Sequence, residues 1–203
     1  MTDVSAEQVR QLRERTGAGM MDCKRALQET GGDVDRAIEL LREKGLASVA
    51  KRADRAANQG RIDSYIHFNH TVGVLVEVNS ETDFVANTDE FQRLVKDVAL
   101  HIASPASPRW LRREDVPEDV LAEQERYARA QAKEAGKPDN VLDKIVTGKV
   151  EAFYKDNVLL EQPYVKDDSK TVQQLLDEVG ARVGEKVAVR RFVRYKLGES
   201  AEA

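Results

Sequence analysis

Apolar residues recur at helical spacing through the first 44 positions, in three short runs. Ser5 with Gln8 three residues later reads as a capping box, Val9 and Leu12 follow on one face, and Thr16-Gly17 stops the run. A second helix is expected from about Met20, turning Cys23, Ala26 and Leu27 inward and ending at Gly31-Gly32. Asp33 caps a third, with Val34, Ile38 and Leu41 on one side. From Arg61 the period falls to two. Ile62, Ser64, Ile66 and Phe68 alternate with more polar residues, and after Asn69-His70-Thr71 so do Val72, Val74, Val76 and Val78, which predicts a hairpin.

Helical spacing returns with Phe91, Leu94, Val95, Val98 and Ile102, and Ser104-Pro105 breaks it. Two helices separated at Gly136-Lys137-Pro138 read as a helical hairpin, the first from Pro117 and the second to about Asp156. Thr171 caps a short helix carrying Val172, Leu175, Leu176 and Val179, expected to end at Gly180. Val187, Val189, Val193, Tyr195 and Leu197 mark a last strand. The fold class is therefore α+β: a three-helix amino-terminal module, then an antiparallel sheet backed by helices and a helical hairpin. The expected divisions are 1–44 for the module, 45–60 for a linker or surface helix, 61–198 for the core and 199–203 for a frayed tail.

Composition narrows the function classes. The chain has 203 residues, 41% hydrophobic and 33% charged, with 32 basic and 36 acidic side chains for a net charge of −4. A net-acidic chain is poorly suited to a phosphate backbone, so no nucleic-acid partner is expected. Lys51, Arg52 and Arg55 are expected to solvate their Ala-rich segment. No apolar run approaches the ~20 residues of a membrane span. Met1-Thr2-Asp3-Val4-Ser5 carries no export pattern, and a lone Cys23 fits a reducing compartment, so a cytoplasmic location is expected.

Catalytic devices are missing. His67 and His70 flank a turn with no cysteine near them, so no metal site is expected. Gly148-Lys149 is followed by Val150 where a phosphate-binding loop needs a hydroxyl, and no dinucleotide fingerprint or nucleophile elbow is present. The chain reads as a non-enzyme without a cofactor.

Two segments do not read simply as core. In Thr16-Gly17-Ala18-Gly19-Met20-Met21, neighbouring methionines cannot both point into a small core. Incidental exposure and a partner-binding knob both fit them. In Thr82-Asp83-Phe84-Val85, Phe84 either turns back into the core or projects with Asp83 from a strand-to-helix turn.

These segments carry a resemblance. Leu12-Arg13-Glu14-Arg15-Thr16-Gly17-Ala18-Gly19-Met20-Met21-Asp22-Cys23-Lys24-Arg25-Ala26-Leu27 resembles the amino-terminal signature of the bacterial elongation factor Ts family. Glu77-Val78-Asn79-Ser80-Glu81-Thr82-Asp83-Phe84-Val85-Ala86-Asn87 is similar to its second signature. Gln162-Pro163-Tyr164-Val165 and Ser169-Lys170-Thr171-Val172 resemble segments near the end of its members. The likeness covers essentially the whole chain and is to the family's short form.

The resemblance implies nucleotide exchange on elongation factor Tu, the GTPase that delivers aminoacyl-tRNA to the ribosome. It implies that the first module is a ubiquitin-associated-like three-helix fold docking on the GTPase. Leu12, Met20 and Met21 match contact positions, and within Thr82-Asp83-Phe84-Val85 the pair Asp83 and Phe84 matches residues that intrude beside the partner's Mg²⁺. It implies no direct nucleotide contact, and the short form implies a homodimer; the final strand or a sheet surface is the expected seam, since one small sheet leaves edges to cover. A competing reading makes residues 5–44 a helical adaptor for another protein or peptide, which leaves Thr82–Val85 without a role. An enzyme reading rests on His67 and His70 alone.

Overall fold

A computed structural model describes residues 4–199. The frayed tail expected over 199–203 lies outside the described residues beyond Glu199, as do Met1, Thr2 and Asp3 of the segment read for an export signal. The chain divides into two compact units. One holds the chain through Gly60 with Asn79–Phe91 and Leu176–Ala188; the other holds Arg61–Val78, Gln92–Leu175 and the chain from Val189.

The first unit opens with three helices whose ends are written into the sequence. Helix α1 is Ala6–Thr16, and its start is the capping box: Gln8 N donates to Ser5 Oγ at 3.2 Å, and Ser5 N donates to Gln8 Oε1 at 3.0 Å. It ends at Gly17, whose φ of 69° is left-handed, with Gly17 N donating to the Arg13 carbonyl at 2.7 Å. Helix α2 is Met20–Glu29, and α3 is Val34–Ala50, where Arg36 N donates to the Asp33 carboxylate at 3.0 Å. Val9, Leu12, Cys23, Ala26, Leu27 and Ala37 form the buried cluster, flanked by Val34, Ile38 and Leu41 among others. Each fully buried leucine contributes roughly 1.5–3 kcal/mol, so this small core has little margin.

The segment 45–60, expected as a linker or surface helix, is divided among three structures. Its start continues α3 to Ala50, a turn follows, and its end opens a strand at Gln59. The expectation that its basic residues are solvated fails at Arg52. That side chain is buried, because carbonyl oxygens of a distant turn supply acceptors that its own surroundings lack.

Strands β1 (Gln59–Ile66), β2 (Val72–Ser80) and β5 (Ala188–Lys196), all but their ends in the second unit, form an antiparallel sheet in the order β1-β2-β5. His67 N donates to the Val72 carbonyl at 2.9 Å and Leu197 N to the Thr71 carbonyl at 2.8 Å, closing one end of both ladders. Val74, Val76 and Val78 are buried on β2, and Leu94, Val95, Val98, Ala99 and Ile102 on helix α5 (Asp89–Ala103). The apolar row of β1 faces the other way: Ile62 and Ile66 are exposed, as are Leu75 of β2 and Val193 and Tyr195 of β5. Alternation reports the period of a strand and not which side is covered.

Helices α6 (Glu118–Glu134) and α7 (Asp139–Asn157) form the hairpin, turning at Gly136, whose φ is 67°. A two-stranded antiparallel pair, β3 (Pro163–Tyr164) with β4 (Asp167–Thr171), is too short to have a readable period. Beside it, buried His101 joins its Nε2 to Gln162 Oε1 at 2.9 Å and accepts from Val165 N at Nδ1 at 3.2 Å. Gln162 Nε2 donates to the Ala106 and Asp156 carbonyls at 2.8 and 2.7 Å, so its amide is fully used.

Helix α8 is Val172–Val183, three residues longer than the Gly180 stop predicts. Gly180 is there for space: a Cβ on it would stand 3.0 Å from the Glu185 carbonyl oxygen. The helix gives way instead at Gly184, whose φ is 77°.

Candidate functional site

Strand β2 ends at Ser80, whose hydroxyl donates to the Thr82 carbonyl at 2.9 Å, and the chain then makes one helical turn, α4 (Asp83–Ala86). Thr82 caps it, accepting from Val85 N at 3.4 Å. Val85 and Ala86 are buried while Asp83 and Phe84 are exposed, so the turn is anchored by its second half and presents its first. Phe84 is 82% exposed. Of the two readings of this segment, the one that folds Phe84 into the core is excluded. An aromatic ring left in water at the head of a capped turn offers an apolar surface without reorganisation.

The cap is held from outside. Glu185 accepts from Glu81 N and Thr82 N at 3.1 and 3.0 Å on one oxygen and from the Thr82 hydroxyl at 2.6 Å on the other. Glu81 takes Lys186 N at 2.7 Å, and Arg55 at 3.3 Å. The Lys186 amide, with Arg55 second, holds the Glu81 carboxyl below its ordinary range. None of Glu81, Lys186 and Glu185 carries a local signal, because the partners lie more than a hundred positions apart.

In the helical module, Met20 and Met21 open α2 behind Gly19 and are 55% and 64% exposed. Neighbouring helical positions point about 100° apart, which leaves both side chains outside a core already filled by Cys23 and Leu27. Leu12 requires a correction. Matched to a contact position, it is fully buried in the module's cluster and cannot touch a partner from there.

The histidine turn holds together as an aromatic group. Tyr65 Oη lies 3.1 Å from His67 Nδ1, the His67 and Phe68 rings are 4.4 Å apart, and His70 has a φ of 57°. Among the described residues, no three His, Cys, Asp or Glu side chains gather so as to hold a metal ion. No helix among them is long and apolar enough to cross a membrane.

A sequence model described as "Elongation factor TS" matches residues 5–199. The chain belongs to the elongation factor Ts family. It is 56% identical over 199 residues to an elongation factor Ts of Thermoanaerobacter sp. (strain X514), covering 98% of this chain and 97% of that one. It is 55% identical over 202 residues to elongation factor Ts of Desulforamulus reducens, across 100% of this chain and 93% of the relative. The same identity and span relate it to elongation factor Ts of Anaeromyxobacter sp. (strain K), of which 92% is covered. These elongation factor Ts chains are of nearly its own length, and membership makes this protein a translation elongation factor.

Proposed function

We propose that this chain is a guanine nucleotide exchange factor for elongation factor Tu, releasing GDP by disturbing the partner's Mg²⁺ and phosphate site. The observation that carries the proposal is Phe84, an exposed ring on a turn whose neighbours Thr82 and Val85 are fixed. In a phosphate-loop GTPase, backbone amides and Mg²⁺ hold the β-phosphate. An exchange factor need only bind more tightly to the state in which those contacts are broken. The coupling is reciprocal, so whatever weakens GDP in the complex is matched by GDP weakening the factor.

Every tenfold loosening requires about 1.4 kcal/mol of differential contact. Phe84 supplies part of it as a wedge, Asp83 perturbs the field around the cation, and Met20 and Met21 give adaptable apolar contact on the GTPase. The factor makes and breaks no covalent bond, binds no nucleotide, nucleic acid or membrane, and works in the cytoplasm. Its first three helices dock as a ubiquitin-associated-like module.

The active form is a homodimer. Its seam is the outward sheet face bearing Ile62, Ile66, Leu75, Val193 and Tyr195. The Arg191–Glu77 ion pair at 2.7 Å lies on the same face. An apolar patch beside charges of both signs matches itself under a twofold axis. The deciding experiment is release of labelled GDP from elongation factor Tu at substoichiometric factor. The wild-type chain accelerates it and Phe84→Ala does not. An adaptor leaves the rate unchanged, and full acceleration by Phe84→Ala removes the wedge.

A further inference from the structure

A helix of four residues cannot orient itself. One turn fixes several dihedrals for very few hydrogen bonds, so the direction in which α4 presents Asp83 and Phe84 must be set from outside. The segment 180–186, at the end of α8 and the turn after it, is the outside support, and all its partners named below belong to the same compact unit.

Four side chains make the attachment. Glu185 gathers three donors at the head of α4, two backbone amides and the Thr82 hydroxyl. Because that hydroxyl gives its proton to Glu185, its lone pairs are turned to Val85 N, so one carboxylate orients the cap as well as the chain before it. Lys186 offers its amide to Glu81 and its Nζ to the Arg55 and Ala53 carbonyls at 3.0 and 2.5 Å. Arg52 Nη1 donates to the Gly180 and Glu185 carbonyls at 3.0 and 3.4 Å. Arg182 pairs with Glu90, and its aliphatic stem lies against Gly17, where a Cβ would come within 2.5 Å of Arg182 Cδ. The stop of α1 at Gly17 and the turn bearing Asp83–Phe84 thus both lie against one short stretch.

We infer that Glu185 is the positioning residue of this site, acting through Thr82 to hold α4 in the one orientation that presents Phe84. The inference rests on the exchange reading and adds to it a residue 103 positions from the turn. Holding the ring in place removes an ordering cost from its insertion beside the nucleotide, a step that follows binding of the GTPase. That gain belongs to the maximal rate of nucleotide release more than to the stability of the factor.

The test measures labelled GDP release from the GTPase at saturating full-length factor, with amide hydrogen exchange at Glu81 and Thr82 and a thermal melt. The chains compared are wild type, Phe84→Ala, Glu185→Ala, Glu185→Gln and the Glu185→Ala/Phe84→Ala double variant. Glu185→Ala should slow release on the order of tenfold, the scale set by losing charge-assisted hydrogen bonds. Glu185→Gln should lose less, and the double variant should be no slower than Phe84→Ala. Protection at Glu81 and Thr82 should fall in Glu185→Ala while the sheet amides keep theirs. If Glu185→Ala fails to fold, Glu185→Gln carries the same comparison. Should Phe84→Ala slow release while the Glu185 variants do not, the positioning role is wrong and the exchange reading stands. Additive losses in the double variant also overturn it. Should Phe84→Ala release GDP at the full rate, the wedge fails, and the amides still decide: unchanged protection in Glu185→Ala overturns the positioning role.

Discussion

Arg52 donates a hydrogen bond to the carbonyl oxygen of Gly180 across 128 residues of sequence. Its guanidinium reaches the Glu185 carbonyl and the Ser48 hydroxyl as well, in a place where water does not substitute for it. Replacing Arg52 by Met keeps the stem and strands those acceptors. The expected loss is about 2 kcal/mol, the usual cost of leaving buried polar atoms without partners. Urea unfolding of the full chain measures it, and a loss under about 0.5 kcal/mol contradicts the structure.

Leu12 and Phe84 should separate stability from exchange. Leu12→Ala opens a cavity in a six-residue cluster and should cost about 3 kcal/mol. Phe84→Ala removes an exposed ring and should stay within about 0.5 kcal/mol of wild type, while its GDP-release activity collapses. Paired melts and release assays read both, and a large stability loss in Phe84→Ala would show that the ring packs somewhere in solution.

His101 should make the fold acid-sensitive near neutrality. Burial lowers its affinity for a proton, and the hydrogen bond to Gln162 opposes that only in part. With Nδ1 already accepting from Val165 N, a second ring proton has no acceptor to meet. The unfolded chain takes the proton near the ordinary value of 6.5 and the folded chain only below it. Below that pH the unfolded state therefore holds more protons, and stability falls as acid is added. Unfolding free energy should be flat above about pH 7 and decline below 6.5, by at most about 1.4 kcal/mol per pH unit from this group. His101→Asn should flatten that part of the profile.

The sheet face should govern self-association. Leu75→Lys places a charge in the outward apolar row, and sedimentation should change from a species of twice the chain mass to one of the chain mass. The wild-type melt should rise with protein concentration, as association stabilises the folded chain, and the Leu75→Lys melt should not. A wild-type chain that sediments as a monomer at micromolar concentration removes the seam.

Much of this was legible residue by residue, and the rest fails for a physical reason in each case. Ser5, Gly17 and Asp33 mark helix ends with their own side chains or φ angles, so α1 to α3 can be read locally. Thr82 caps α4 in the same way. What Thr82 rests on cannot be read, because Glu185 is near it only after the chain has folded. Gly180 shows the opposite error: a glycine taken as a stop is inside α8, admitted by the closeness of a carbonyl oxygen. The alternation in β1 was correct in period and silent on side, and the side is what makes Ile62 and Ile66 available.

The clasp on Thr82 also has an order in time. A ribosome making this chain adds Thr82 and reaches Glu185 only 103 positions later. At ordinary bacterial elongation speeds that interval is on the order of 5–20 s. Throughout it the turn is synthesised but has nothing to lean on, and a chain released early never acquires its brace. The clasp closes only after Glu185 has joined the chain.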